Sequence, residues 1–159
     1  MATVTTYDFR IHALSAQALD EVRTRGVDRT GLPVERLVAE GGEPLRCCLR
    51  NAHEGERLAL FAHTLDLPPS PYKETGPVFA HASPCAGPDD PSTYPSDWYG
   101  RPQVLRAYDE RGRIHPATRM HDGSDPEPEI DALLAEPGVA LVHSRNVLYG
   151  CYMFTATRR

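Results

Sequence analysis

The stretch RLALFAHTLDLPPSPYKETGPVFAHAS, Arg57 to Ser83, decides the fold class of this chain. Residues 57–67 and 76–83 are short apolar runs that read as strands, and the proline-broken segment PPSPYKET joins them. Outward to the N-terminus, TVTTYDFRIHAL alternates from Val4 through Tyr7, Phe9 and Ile11, which predicts a first strand. Ser15 then caps a helix over 16–25. Leu14 and Leu19 stand at the two positions of a hydrophobic staple, and Gly26 can close the helix in a left-handed conformation. LPVERLVAE predicts a short strand near 33–39 that ends in the turn EGGEP.

Outward to the C-terminus, QVLRAYDERGRIHPATRM predicts a hairpin whose turn lies near Asp109 to Gly112. SDPEPEIDALLAE predicts a second helix with Asp125 as cap, Pro126 at the first helical position and Pro137 as the stop. VALVHSRNVLYGCYMFTATRR predicts two strand segments bent around Asn146 or Gly150. Strand, helix, several strands, helix and strands form an α+β pattern rather than the alternation of a doubly wound sheet. The expected architecture is a single domain over 1–159, with a mostly antiparallel sheet and two helices packed on it. The 159 residues suffice for one core without staples.

Residues 83–102, SPCAGPDDPSTYPSDWYGRP, carry five prolines and two glycines and exceed the usual loop length. The segment is a candidate lid, with Trp98 as a ligand contact. The alternative is a cover for a sheet edge, its aromatics packed down.

The net charge of −5 and the scattering of the 17 basic residues argue against a nucleic-acid surface. No apolar run reaches the length of about 18 residues that spans a bilayer, and no leader pattern is visible. The expectation is a cytoplasmic protein whose four cysteines stay reduced. No P-loop, dinucleotide fingerprint or nucleophile elbow occurs, so no cofactor is expected.

Three strands carry a histidine in line with apolar neighbours. Period two places Ala59, Phe61 and His63 together, Phe79 with His81, and Val139, Leu141, His143 and Arg145 together. If those faces meet, His63, His81 and His143 line one pocket and offer a three-histidine metal set. Cys85, four residues beyond His81, is a candidate nucleophile with His81 as its base, although a residue at that spacing has left the strand. Arg46, Arg106 and Arg145, with Tyr72, Lys73 and Tyr108, form a candidate anion site.

The blocks RCCLRNAHEGERLALFAH, PYKETGPVFAHA, LRAYDERGRI and VHSRNVLYGCYMFTATRR together resemble the bacterial "domain of unknown function 1203" family over about residues 40–159. Arg46, Ala52, Gly55, Glu56, Pro71, Tyr72, Gly76, Pro77, Phe79, His143, Asn146, Gly150, Cys151 and Tyr152 match its pattern. Leu45, Asn51 and Ala80-His81 depart from it, the last standing where valine-arginine is common. The resemblance implies a compact α+β domain and brings no activity, so function rests on the site.

The leading expectation is a small enzyme acting on a small anionic metabolite by acid–base chemistry. His81, His143 and Tyr72 would carry the chemistry, and Arg46, Arg106, Arg145, Asn146 and Trp98 would hold the substrate. The alternatives are a non-catalytic module for a small ligand or peptide, and the histidine-ligated metal site. Oligomeric state is left open.

Overall fold

The computed structural model describes residues 6–159, so the expected alternation at Val4 lies outside the described residues. In chain order the elements are β1 (Phe9–His12), α1 (Ala16–Arg25), β2 (Glu35–Val38), β3 (Pro44–Leu45), β4 (Arg50–Asn51), β5 (Arg57–Thr64) and β6 (Thr75–His81). Then follow β7 (Gln103–Tyr108), β8 (Arg119–His121), α2 (Pro126–Ala135), β9 (Leu141–Asn146) and β10 (Tyr152–Arg158), with one 3-10 turn at Ser96–Trp98 before β7.

Both helices begin and end where local chemistry directs. The Ser15 hydroxyl accepts a hydrogen bond from the Ala18 N–H at 3.1 Å, Gly26 closes α1 at φ 68°, and Leu14 and Leu19 are both buried. Asp125 occupies the cap position of α2 without a side-chain capping bond. Pro126 begins the helix there, and Ile130, Leu133 and Leu134 form its buried face.

The strands form two sheets, which corrects the expectation of one. The first has the order β1-β10-β9-β7-β8 and is antiparallel throughout; the second has the order β2-β5-β6-β3-β4, in which only β3 and β6 run parallel. The division has a physical cause. After β6 the chain runs through the proline-rich segment 83–102, which contributes no ladder strand, so β7 pairs with β9 instead of with β6. The N-terminal strand β1 then closes the first sheet by pairing with the C-terminal β10.

Two cores result. One lies between the sheets and α1, where Leu19 and Val22 meet Leu58, Phe61, Val78 and Tyr152. The other lies under α2, where Ile130 and Leu133 meet Phe9, Leu105, Val142 and Phe154. The 83–102 segment belongs to this second core. Trp98 is fully buried and stacked on Phe154 (centroids 6.2 Å, planes 3° apart), its indole N–H donating to Asn51 Oδ1 at 2.9 Å. Tyr94 packs edge-on against the same ring, and the Ile11 N–H donates to Pro91 O at 2.7 Å. The segment therefore covers the free edge of β1. Trp98 is a core residue in place of the expected ligand contact.

No helix among the described residues is long and apolar enough to cross a membrane.

Candidate functional site

The connection between β3 and β4 is only four residues, Arg46 to Leu49. The Leu49 N–H returns to Leu45 O at 3.0 Å, and Leu49 takes φ 57°, a left-handed conformation that costs an L-residue roughly 1–2 kcal/mol. Burial of its side chain holds it there. The Arg46 N–H donates to Phe79 O at 2.8 Å, in line with the parallel register of Leu45 against Phe79, and so pins the turn to β6. Two residues beyond that pair, Cys47 therefore meets His81 at the end of β6, with Cys48 next to it.

Cys47 Sγ lies 3.5 Å and Cys48 Sγ 3.9 Å from His81 Nδ1, and the two sulfurs are 3.9 Å apart. The His81 backbone N–H also donates to Cys47 Sγ at 3.3 Å. Beyond the strand the chain turns at Ser83-Pro84 and brings Cys85 back. The ligand atoms of Cys47, Cys48, His81 and Cys85 all lie within 4.8 Å of one another. This resolves the awkward spacing of Cys85 after His81: the residue has left the strand and re-enters its end through the turn.

A tetrahedral zinc site with Zn–S near 2.3 Å and Zn–N near 2.0–2.1 Å has ligand–ligand edges of roughly 3.8 Å (S to S) and roughly 3.5 Å (S to N). The Cys47–Nδ1 and Cys47–Cys48 separations of 3.5 and 3.9 Å lie close to those edges, and Cys48–Nδ1 at 3.9 Å is slightly longer. His81 Nε2 lies 2.7 Å from Glu56 Oε2 and 3.2 Å from Arg50 Nη2, and in the tautomer that donates Nε2–H to the carboxylate the Nδ1 lone pair faces the thiols. Glu56 is gripped in turn by a two-pronged pair from Arg50, both contacts at 2.9 Å, and by the His53 backbone N–H. These donors, Arg50 first, hold its carboxyl well below the usual carboxylate range.

The thiols are unequal. The hydrogen bond shared with Cys48, with the His81 N–H and Cys85 adding to it, outweighs burial and pushes the Cys47 thiol down. The same contact and burial push Cys48 up. Burial raises the Cys85 thiol, the opposite of what an activated nucleophile requires.

The other expected site residues lie elsewhere. His63 and His81 are on opposite faces of the β5/β6 pair: His81 is opposite Leu58 and so shares its face, while His63 sits five residues further along β5 with the other parity. His143 lies across Tyr152 from His63, the Tyr152 ring 5.0 Å from His143 and 6.2 Å from His63. The three histidines do not converge, and the metal set expected from them gives way to the cysteine-rich one. Burial, then Arg145, Arg106 and His63, pull His143 down to about 3, so it is a poor proton carrier near neutral pH.

Arg46 is a buried strut: its guanidinium donates to Tyr152 O at 2.7 Å and to Pro44 O, which leaves it no role as a surface anion anchor. Arg106 and Arg145 both pair with Glu74, at 2.8 and 3.0 Å. Asn146 closes the turn to β10 through its backbone N–H to Cys151 O, and Tyr72 lies exposed in the β5–β6 connection.

Sequence reading singled out His81 and Cys85 but missed Cys47, Cys48, Arg50 and Glu56 as their partners. The adjacent cysteines carry no familiar metal spacing, and only the match of Glu56 to a family pattern pointed toward it.

A family model described as a protein of unknown function (DUF1203) matches residues 42–158, a span that holds every residue of the cluster. No curated protein and no solved structure matches the chain.

Proposed function

We propose that this chain, which belongs to the DUF1203 family of unknown function, is a metal-binding protein that holds one zinc-class ion through Cys47, Cys48, Cys85 and His81. The observation that carries the reading is the approach of four such ligand atoms to within 4.8 Å of one another. Three thiolates and one imidazole suit zinc, and four protein ligands leave no open position, which favours a structural role over a Lewis-acid one. The Glu56 carboxylate behind His81, fixed by Arg50, is the outer partner such a ligand needs. The ion would tie the β3–β4 turn, the end of β6 and the start of the 83–102 segment into one corner of a single domain. His81 stands where the family resemblance has valine-arginine, so the proposal is made for this chain. Ligation by free thiols supports a reducing, cytoplasmic location.

One observation favours a second reading. Cys47, His81 and Glu56 also form a nucleophile–base–carboxylate line, with steps of 3.5 and 2.7 Å. Burial argues against it, since Cys47 is only 3% exposed and a substrate could not reach its sulfur. The acid–base reading is weaker again, because the anion-holding arginines are engaged elsewhere and His143 lies apart.

Cobalt(II) loading separates these readings. The metal reading predicts a 1:1 complex with the intense near-ultraviolet thiolate-to-cobalt absorption and the visible bands of tetrahedral cobalt, lost in Cys47→Ser and His81→Ala and retained in Cys151→Ser. Absence of those bands, together with rapid modification of a single thiol by iodoacetamide that depends on His81 and Glu56, would favour the nucleophile.

A further inference from the structure

The face of the first sheet that looks toward the second is polar where a core face is ordinarily apolar. Strand registers align His12, Thr155, His143 and Arg106 in one row across β1, β10, β9 and β7. One residue along, the opposite face of the same strands carries Ile11, Ala156, Val142 and Ala107, all buried beneath α2. Three of the four residues in the polar row are partnered by residues beside it, Arg106 by Glu74 at 2.8 Å. His12 Nε2 meets Thr157 Oγ1 at 2.7 Å, and the Tyr152 hydroxyl meets Thr155 Oγ1 at 2.7 Å. Deeper in, His143 Nδ1, the Tyr108 hydroxyl and Arg145 Nη1 are buried without a hydrogen-bond partner among the described residues.

The shallow end of this row opens into a cleft of about 540 Å³ between the two sheets and α1, a size suited to a small ligand. His12, Tyr152, Thr155 and Thr157 form one wall, and His63 faces them from the second sheet. Lys73 and Arg29 stand at the exposed mouth, and Asp66 is the one acidic lining residue. Lys73 makes no ion pair among the described residues, while Arg29 reaches Glu21 only at 3.6 Å. Burial pulls both His12 and His63 below the ordinary imidazole value, so each presents one N–H and one lone pair near neutral pH.

We propose that this inter-sheet cleft binds a small hydroxylated oxyanion, a carboxylate or phosphate that carries hydroxyl groups. Lys73 and Arg29 would take the anionic end at the mouth, and the imidazole and threonine row would take the hydroxyls. Of the expected anion set only Lys73 lines this cleft, joined there by Arg29 in place of Arg46, Arg106 and Arg145, and the site is independent of the metal corner. It needs no covalent step.

The test is a titration of the wild-type protein with glycerol 3-phosphate, malate and inorganic phosphate, read from the imidazole resonances in proton–nitrogen or proton–carbon NMR spectra. His12 and His63 are expected to shift saturably with at least one hydroxylated probe, which binds at least fivefold more tightly than inorganic phosphate. His115, remote on the surface, should stay still. Lys73→Ala, a change at an exposed loop residue, should weaken that binding at least fivefold with an unchanged far-ultraviolet spectrum, and Thr157→Val should weaken it by a smaller factor. The phosphate and carboxylate arms decide which oxyanion is preferred. The proposal is overturned by the absence of saturable shifts at His12 and His63, by equal affinity for inorganic phosphate and the hydroxylated probes, or by binding that Lys73→Ala leaves intact.

Discussion

At His81 one ring nitrogen meets a carboxylate and the guanidinium that grips it and the other meets two thiols, whereas His143 Nδ1 has no hydrogen-bond partner among the described residues. Both histidines sit on strands among apolar neighbours, and in the sequence they look alike. The difference lies in what the second sheet brings to each. The β3–β4 turn delivers Cys47, Cys48 and Arg50 to the end of β6, while the inter-sheet face leaves His143 between the rings of Tyr108 and Tyr152. One region is polar, closed and convergent, and the other is polar with an open end. Four converging ligand atoms suit a compact ion, and the cleft at the open end of the second region, lined by His12, His63, Thr155 and Thr157, suits a ligand that makes hydrogen bonds.

The largest effect should come from emptying the convergent region. Removal of metal with a chelator should lower the thermal midpoint by at least about 10 °C, since an ion that binds only the folded chain adds its binding free energy to stability. Saturating the cleft with a probe of millimolar affinity should raise the midpoint by only about 1–5 °C, and calorimetry with both additions ranks the two. A chelator that leaves the midpoint unchanged would break the comparison.

Next in size is Trp98→Ala, which should cost about 3–5 kcal/mol in urea unfolding because it opens a cavity against Phe154 and leaves Asn51 unpartnered. A variant of wild-type stability with altered ligand binding would return Trp98 to the role of a lid residue. Glu56→Gln should weaken metal affinity by about 10–100-fold without abolishing binding, as expected for an outer partner of a ligating histidine, with competition against a chromophoric chelator as the readout.

The comparison also extends to pH. His143 is depressed in the folded state, so the unfolded chain takes up a proton below about pH 6.5 while the folded chain resists down to about 3. Stability from this group is therefore complete above the unfolded value and declines as pH falls through that window, at about 1.4 kcal/mol per pH unit once well inside it. His143→Leu should flatten the fall in urea stability between pH 6 and pH 4 by about one proton's worth relative to wild type. An unchanged slope would mean that His143 is charged in the folded protein. The smallest expected effect is that of Lys73→Ala on stability, within about 0.5 kcal/mol, because the residue is exposed and makes no ion pair among the described residues.

The elements legible in the sequence are those built from local chemistry. Ser15, Gly26 and the Leu14–Leu19 pair mark the limits of α1, and Pro126 and Pro137 bracket α2. The turn at Asp109 to Gly112 and the bend between Asn146 and Cys151 follow from the residues that make them. What the sequence conceals is which strand pairs with which. The closure of β1 on β10 links residues almost 150 apart, and no local pattern separates one sheet from two. The candidate site is hidden for the same reason. His81 and Cys85 are neighbours in the chain, but Cys47 and Cys48 join them through a turn that depends on a leucine in a left-handed conformation, for which leucine gives no signal. Period two placed His63 and His81 correctly within their own strands, and only the register shows that those faces are opposite.

The central claim is that Cys47, Cys48, His81 and Cys85 hold an ion, and elemental analysis of purified protein tests it most directly. Protein expressed without added metal, passed through a desalting column and measured by inductively coupled plasma mass spectrometry should carry close to one equivalent of zinc. Cys47→Ser, or the pair Cys48→Ser with Cys85→Ser, should carry less than a tenth of that, and Cys151→Ser should match wild type. Wild-type protein that contains no stoichiometric metal, and retains none after incubation with zinc under reducing conditions, would contradict the account.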